Sequence, residues 1–154
     1  SVEGYRSDIS RSFVFGKPSD TMRKVFDLVR RMQLAALAVA KPGVALDALD
    51  AAARKLAESE GYGPGFTFFT HRLGHGLGMD GHEWPYLVKH NMFGWTKVVT
   101  LKAGMTFTNE PGIYIPGEFG LRLEDDMVIT ENGAEHFTPQ SPSIDDPFPG
   151  LPVK

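Results

Sequence analysis

Apolar positions follow two regimes, three or four apart in the first third of the chain and alternating or clustered between glycines thereafter. Met22, Val25, Phe26, Val29 and Met32 keep helical spacing behind Ser19-Asp20, which offers an N-cap, and the pattern stops near Lys41-Pro42-Gly43. A helix over about 20–40 is predicted. Leu46, Leu49, Ala53 and Leu56 share one face of a second helix, about 46–60, that ends at Gly61. Both stripes read as packing surfaces with no cofactor role. Ahead of the helices, residues 4–15 mix serine, aromatic and β-branched residues up to Gly16-Lys17-Pro18, and predict a strand closed by a turn. Glycines crowd the stretch from Gly61 to Gly81, which argues for strands and shaped loops over helix. Residues 105–109 and 121–130 predict two strands about a turn at Pro116-Gly117. After Pro139 the composition turns to Ser, Pro and Asp, so residues 1–139 are expected as the folded domain and 140–154 as a surface tail. Strand, helix, helix and then several strands make the expected class α+β.

At 154 residues the chain is the size of one domain, and 42% hydrophobic with 23% charged residues excludes a disordered or fibrous polypeptide. A net charge of −3 gives no reason for a nucleic-acid surface or a polybasic membrane patch, so neither partner is expected. With no cysteine there is no disulfide framework, thiolate metal site or cysteine nucleophile. That composition suits a reducing compartment, and a cytoplasmic location is expected. No apolar run reaches the ~18–20 residues of a membrane span, and Ser1-Val2-Glu3-Gly4-Tyr5 lacks the basic start and apolar core of a signal peptide. Without an initiating Met, the sequence reads as a mature product or a piece of something longer.

Metal-type and acid/base residues concentrate in three short segments. The first is His71-Arg72-Leu73-Gly74-His75-Gly76-Leu77-Gly78, with His82-Glu83 behind it. Histidines four apart on a helix would face one ion, but the glycines disfavour a helix here. In an extended segment His71 and His75 share a face at a separation of about 13 Å, too far for a common ion. One is then free to ligate while the other meets substrate or moves protons; ordinary structural roles are the plainer alternative. The second and third segments are NEPGIY at 109–114 and LRLEDD at 121–126. Glu110 and Glu124 lie symmetrically about position 117, so a regular hairpin sets them opposite with Cβ atoms about 5 Å apart. Carboxylates so placed repel unless a cation lies between them. A solvated surface pair is the plain alternative, yet each borders an apolar strand, and buried carboxylates need a partner. A divalent metal fits. Arg122 shares the face of Glu124 by two-residue alternation, which keeps a simple Arg–Glu ion pair as a competing explanation. Asp8 interrupts a strand-like segment, where aspartate is depleted. With one histidine and two glutamates it completes an oxygen-rich set of the kind that favours Mn, Co or Fe over a structural zinc. Carboxylates that bridge ions ~3.5–4 Å apart are typical of sites that activate water.

GYRSDISRSF, HRLGHGLGMDGHEWP, TNEPGIYIP and GLRLEDDMVIT resemble, in order and spacing, the motifs of the pita-bread metallopeptidases. That family includes Xaa-Pro aminopeptidases, Xaa-Pro dipeptidases (prolidases) and methionine aminopeptidases. The resemblance covers about residues 4–138, and the EPGIY, RLEDD and HGLGMDGHE forms are more similar to the Xaa-Pro branch. It implies that Asp8, His75, Glu110 and Glu124 are metal ligands, with Asp8 and Glu124 bridging two divalent ions. Mn or Co is the implied metal, with Zn or Fe as alternatives. It further implies that His71 and His82 bind substrate and handle protons, and that Arg122 supports the bridging region. The family's ligand set opens with a further aspartate, at a spacing that falls upstream of Ser1. The resemblance therefore implies the C-terminal part of a pita-bread domain, incomplete for want of its N-terminal half. One ion site would be short of a ligand, and the sheet edge beside 4–15 would be unpaired.

The parent implied by the resemblance is a homodimeric exopeptidase that cleaves Xaa-Pro bonds in a proline-containing peptide, as an aminopeptidase or a dipeptidase. Water attacks the scissile carbonyl, Glu110 serves as ligand and proton acceptor, and His71 or His82 stabilises the developing charge. The 154-residue chain itself is expected to bind at most one divalent ion well and to turn over weakly or not at all. Two other readings stand beside this one: a creatinase-like C–N hydrolase, which works without the metal set, and a pita-bread binding module that has lost its ligands. The intact Asp8, His75, Glu110 and Glu124 count against both.

Overall fold

A computed structural model describes residues 1–89 and 97–148. Helix α1 spans Asp20–Val39 and α2 spans Leu46–Ser59, where the apolar spacing places them. The Ser19 hydroxyl accepts the Met22 N–H at 3.2 Å and satisfies one of the first-turn donors of α1. Strands follow as β1 (Gly74–Gly76), β2 (Glu83–Leu87), β3 (Thr106–Asn109), β4 (Gly112–Ile115), β5 (Phe119–Arg122), β6 (Asp125–Ile129) and β7 (Ala134–His136). Five of them pair antiparallel in the order β2-β1-β3-β6-β7, and β4 with β5 forms a separate ribbon. Val25, Val29 and Met32 of α1, Leu49 and Ala53 of α2, and Leu73, Phe107, Ile113 and Met127 make one buried apolar cluster. No helix of the described residues is long and apolar enough to cross a membrane.

Alternation along β3 and β6 sorts the side chains into two sets. Phe107 pairs with Met127, and both join the apolar cluster. Asn109 pairs with Asp125, and both meet Gln33 of α1, through Asn109 Nδ2 to Gln33 O and Gln33 Nε2 to Asp125 Oδ2, each at 3.0 Å. The period of two then sends Thr108 and Asp126 to the other face, with Glu110 and Glu124 next in the same alternation.

The hairpin turns at Pro116-Gly117 as expected: Ile115 pairs with Phe119, and Gly117 takes φ 77°, a conformation side chains resist. Gly112 pairs with Arg122 and Asn109 with Asp125, a single register that sets position 110 opposite 124. The strand expected over 121–130 is nevertheless two strands, β5 and β6. Pro111 has no N–H to contribute to the ladder, and there the two backbones part. Glu110 N–H donates to Leu73 O at 2.8 Å, while Glu124 exchanges bonds of 3.1 and 3.2 Å with Ser10.

Residues 4–15 do not form the predicted strand. Within them Ser10 bridges Glu124, and Tyr5 bridges Val2, as isolated pairs. Aromatic and serine alternation reports propensity, not the presence of a partner. This segment is fastened instead by side chains, with Ser12 Oγ donating to Arg122 O at 2.7 Å and Arg11 Nη1 to Glu124 O at 2.8 Å. In the segment expected as a surface tail, Pro142, Asp145 and Asp146 are exposed, but Ser141 is buried and Ile144 joins the core cluster. Gln140 Nε2 donates to Gln33 Oε1 at 2.9 Å. Ser141 Oγ donates to Pro147 O at 2.9 Å and Asp145 pairs with Arg23, so scattered contacts seat a stretch whose composition reads as solvated. Residues 149–154 lie outside the described residues.

Candidate metal centre

His75 stands at the meeting point of two groups whose ligand atoms lie within 4.8 Å of one another, one with Glu110 and Glu124 and the other with Asp8 and His82. Its Nε2 is 3.5 Å from Glu110 Oε1 and 3.7 Å from Asp8 Oδ2. Strand β1 sets the imidazole from both ends. The His75 backbone N–H donates to Thr108 Oγ1 at 3.0 Å, and Nδ1 lies 2.9 Å from Gly76 O. A carbonyl only accepts, so Nδ1 carries the proton and Nε2 presents a lone pair. That Nε2 is buried without a hydrogen-bond partner. The Gly-His-Gly sequence of β1 permits its close seating. A Cβ on Gly74 would lie 2.0 Å from Thr108 O, and one on Gly76 would lie 2.7 Å from Trp84 O.

Glu110 and Glu124 are 6% and 2% exposed, so each carboxylate has lost most of its water. Burial, then the charge of Glu124, pushes the Glu110 carboxyl up to about 7. Burial also raises Glu124, and Asp8 adds to the rise, against the Ser10 hydroxyl that donates to its Oε2 at 2.5 Å. Burial holds His75 below its ordinary value, favouring the neutral ring. The cluster is thus a neutral imidazole with an unpartnered lone pair among carboxylates that are costly to ionise together. A divalent cation answers both deficits, as partner to Nε2 and as counter-charge to the acids, and the donor set fits one.

The other expected site residues fall around this centre. His82 is exposed, and its ring stands edge-on to His75 at 4.4 Å between centroids. His71 belongs to neither ligand group, in keeping with its spacing from His75. Its Nδ1 lies 2.8 Å from Arg72 O and its Nε2 2.9 Å from Tyr114 OH, and burial lowers its proton affinity. Arg122 Nη1 lies 3.4 Å from Glu110 Oε2, an ion pair that reaches across the ribbon.

Several supporting residues escaped the reading of the sequence. Asp126 accepts the Asp8 backbone N–H on both carboxylate oxygens at 3.2 and 3.3 Å, and is itself pushed up to about 6 by burial and by Asp8. Asp125 accepts from Arg11 at 2.5 Å and so moors the same segment. The Glu-Asp-Asp run was visible as a cluster of acids, but only alternation on a known strand separates the ligand from the two anchors. Thr108, Ser10 and Tyr114 carried no signal of their own.

With this fold and site in view, the chain belongs to metallopeptidase family M24, whose sequence model matches residues 1–131. Among curated relatives it is similar to an Xaa-Pro dipeptidase of Lactobacillus delbrueckii subsp. lactis, 45% identical over 152 residues, covering 99% of this chain and 38% of the relative. It is similar also to an Xaa-Pro dipeptidase of Pyrococcus furiosus, 42% identical over 87% of this chain and 36% of the relative. The prolidase structure from Pyrococcus furiosus superposes with a TM-score of 0.77 at 42% identity, over 87% of this chain and 37% of that one. An X-Pro aminopeptidase from Thermotoga maritima gives 0.77 at 40% identity, over 87% of this chain and 36% of that one. The α+β arrangement is that of the C-terminal part of these pita-bread structures. The chain spans under two-fifths of the length of these relatives.

Proposed function

We propose that this chain is the metal-binding part of an exopeptidase that hydrolyses Xaa-Pro bonds, with Asp8, His75, Glu110 and Glu124 as ligands of divalent ions and His71, His82 and Arg122 lining the substrate cleft. The observation that carries the reading is the buried, unpartnered Nε2 of His75, facing two glutamates and an aspartate. Relatives named Xaa-Pro dipeptidase at 42–45% identity support the substrate class. The oxygen-rich donor set favours Mn or Co. When bound, such ions polarise a scissile carbonyl and acidify water. Glu110 is placed for proton transfer because its Oε1 faces the proposed ion site, 3.5 Å from His75 Nε2. It takes a proton as water adds to the carbonyl carbon, and returns one as the C–N bond breaks. Proline leaves as a secondary amine and requires that proton. Arg122 holds Glu110 by its Oε2 end, leaving Oε1 toward His75. His71, fixed by Arg72 O and Tyr114 OH, orients substrate, and the exposed His82 meets it from the open side. A homodimeric parent with a peptide partner is part of the same proposal.

Calorimetric titration of the chain with Mn²⁺, with hydrolysis of an Xaa-Pro dipeptide followed alongside, tests the reading. One ion should bind well. His75→Ala should abolish that binding, while His82→Ala should leave it near the original affinity. A flat titration sinks the metal reading, and equal losses from both variants would move His82 into the ligand set. Hydrolysis undiminished by a chelator would favour the metal-free C–N hydrolase instead.

A further inference from the structure

Helix α2 carries a buried ion pair that the chemistry above does not use. Asp50 and Arg54 lie one turn apart and are 4% and 8% exposed. Arg54 Nε donates to Asp50 Oδ2 at 2.7 Å, and Nη2 to Oδ1 at 3.1 Å. The remaining donors leave the helix. Nη1 reaches Gly65 O at 3.1 Å and Phe69 O at 2.7 Å, and Nη2 reaches His71 O at 2.5 Å. A guanidinium has five N–H donors in a rigid planar fork, and here all five are engaged. Its plane also lies over Phe66 and Phe69, at 3.6 and 4.2 Å from the ring centroids. Asp50 Oδ1 in turn accepts the Leu73 N–H at 3.0 Å.

A buried ion pair is weak evidence of stabilisation, because well-packed apolar residues often serve as well or better. What this pair does that apolar residues cannot is hold the carbonyls of Gly65, Phe69 and His71, which lie outside the strands. It grips His71 by its carbonyl and shares the Leu73 amide with Leu87 O, which accepts it at 3.1 Å, and so brackets Arg72. The Arg72 carbonyl is the acceptor for His71 Nδ1–H, which turns Nε2 toward Tyr114 OH. His75, by contrast, is held by its ladder to β2 and by Thr108. We infer that Asp50 and Arg54 are positioning residues for His71, aiming its imidazole from α2 independently of the contacts that place His75. This rests on the proposed role of His71 in the substrate cleft.

The test is imidazole NMR on the ¹⁵N-labelled chain, with Zn²⁺ affinity measured in parallel. In the paired variant Asp50→Asn/Arg54→Met, which removes both charges and keeps an acceptor for Leu73, exchange of the His71 Nδ1 proton should quicken by about tenfold or more. The His75 ring signals and the Zn²⁺ affinity should stay as they were. A folded variant with unchanged His71 exchange overturns the positioning role, and equal loosening of His71 and His75 shows general destabilisation instead. Native-state exchange of the unaltered chain gives the same decision without a substitution. The Arg54 Nε and His71 Nδ1 protons must open together as urea is raised, and independent opening of His71 overturns the inference. Absence of Zn²⁺ binding would strike the proposed metal chemistry and leave the His71 result to stand or fall alone.

Discussion

At the scale of single residues, Glu110 is where burial and chemistry pull against each other. Its carboxyl titrates at about 7 against an ordinary 4.5, first because it is desolvated and next because of Glu124. A folded state that holds a proton more tightly than the unfolded chain gains stability that is complete below about 4.5 and is lost as pH rises through about 7. Asp126 acts in the same direction up to about 6. His75 opposes them, since its lowered proton affinity costs stability as pH falls below the ordinary histidine range. In chelator, Glu110→Gln should therefore raise the melting temperature near pH 8 and leave it unchanged near pH 4.5. Each kcal/mol is worth about 2–4 °C in a chain of this size. The same variant should lose its Mn²⁺-induced rise in melting temperature. A glutamine variant less stable than the parent near pH 8 would contradict the unrelieved repulsion. Glu110 and Glu124 were legible in the sequence because their spacing about Gly117 needs only a hairpin to bring them together. Asp126 was not legible, because its work is done on the backbone of a residue 118 positions away.

At the scale of elements, the site exists because one long hairpin splits. The β3–β6 and β4–β5 pairs keep one register, and the step between them, at Pro111, holds the two glutamates with their backbones turned to Leu73 and Ser10. Strand β1 must then press close enough for His75 to reach them. Gly74→Ala places a methyl against a backbone oxygen that has no rotamer to yield, and should cost about 3 kcal/mol or more by urea melts. Gly117→Ala meets open space, and only its φ of 77° resists, so its cost should be nearer 1–2 kcal/mol. Equal effects at the two positions would show that the close seating of β1 matters less than turn strain. The helices were legible from periodicity because a helix closes its hydrogen bonds within its own segment. The strand over 4–15 was misread because pairing depends on a partner that local pattern does not encode. The split at Pro111 was readable in principle from the missing N–H, but the apolar run on the other side of the turn masked it.

At the scale of the whole molecule, the order of four motifs carried the family, and the fold agrees over 87% of the chain with prolidase from Pyrococcus furiosus. Tertiary position supplied what the motifs did not. It showed that α2 reaches the His71 segment through Asp50 and Arg54, that Asp126 anchors the Asp8 backbone, and that Ile144 joins the core. The claim on which the rest depends is that the two glutamates and His75 hold one cation. Anomalous diffraction from crystals of the chain grown with Zn²⁺ addresses it directly. The expected result is a peak about 2.0–2.1 Å from His75 Nε2 and about 2.0–2.2 Å from carboxylate oxygens of Glu110 and Glu124. A principal peak on His71, or one that leaves His75 Nε2 unligated, would contradict it.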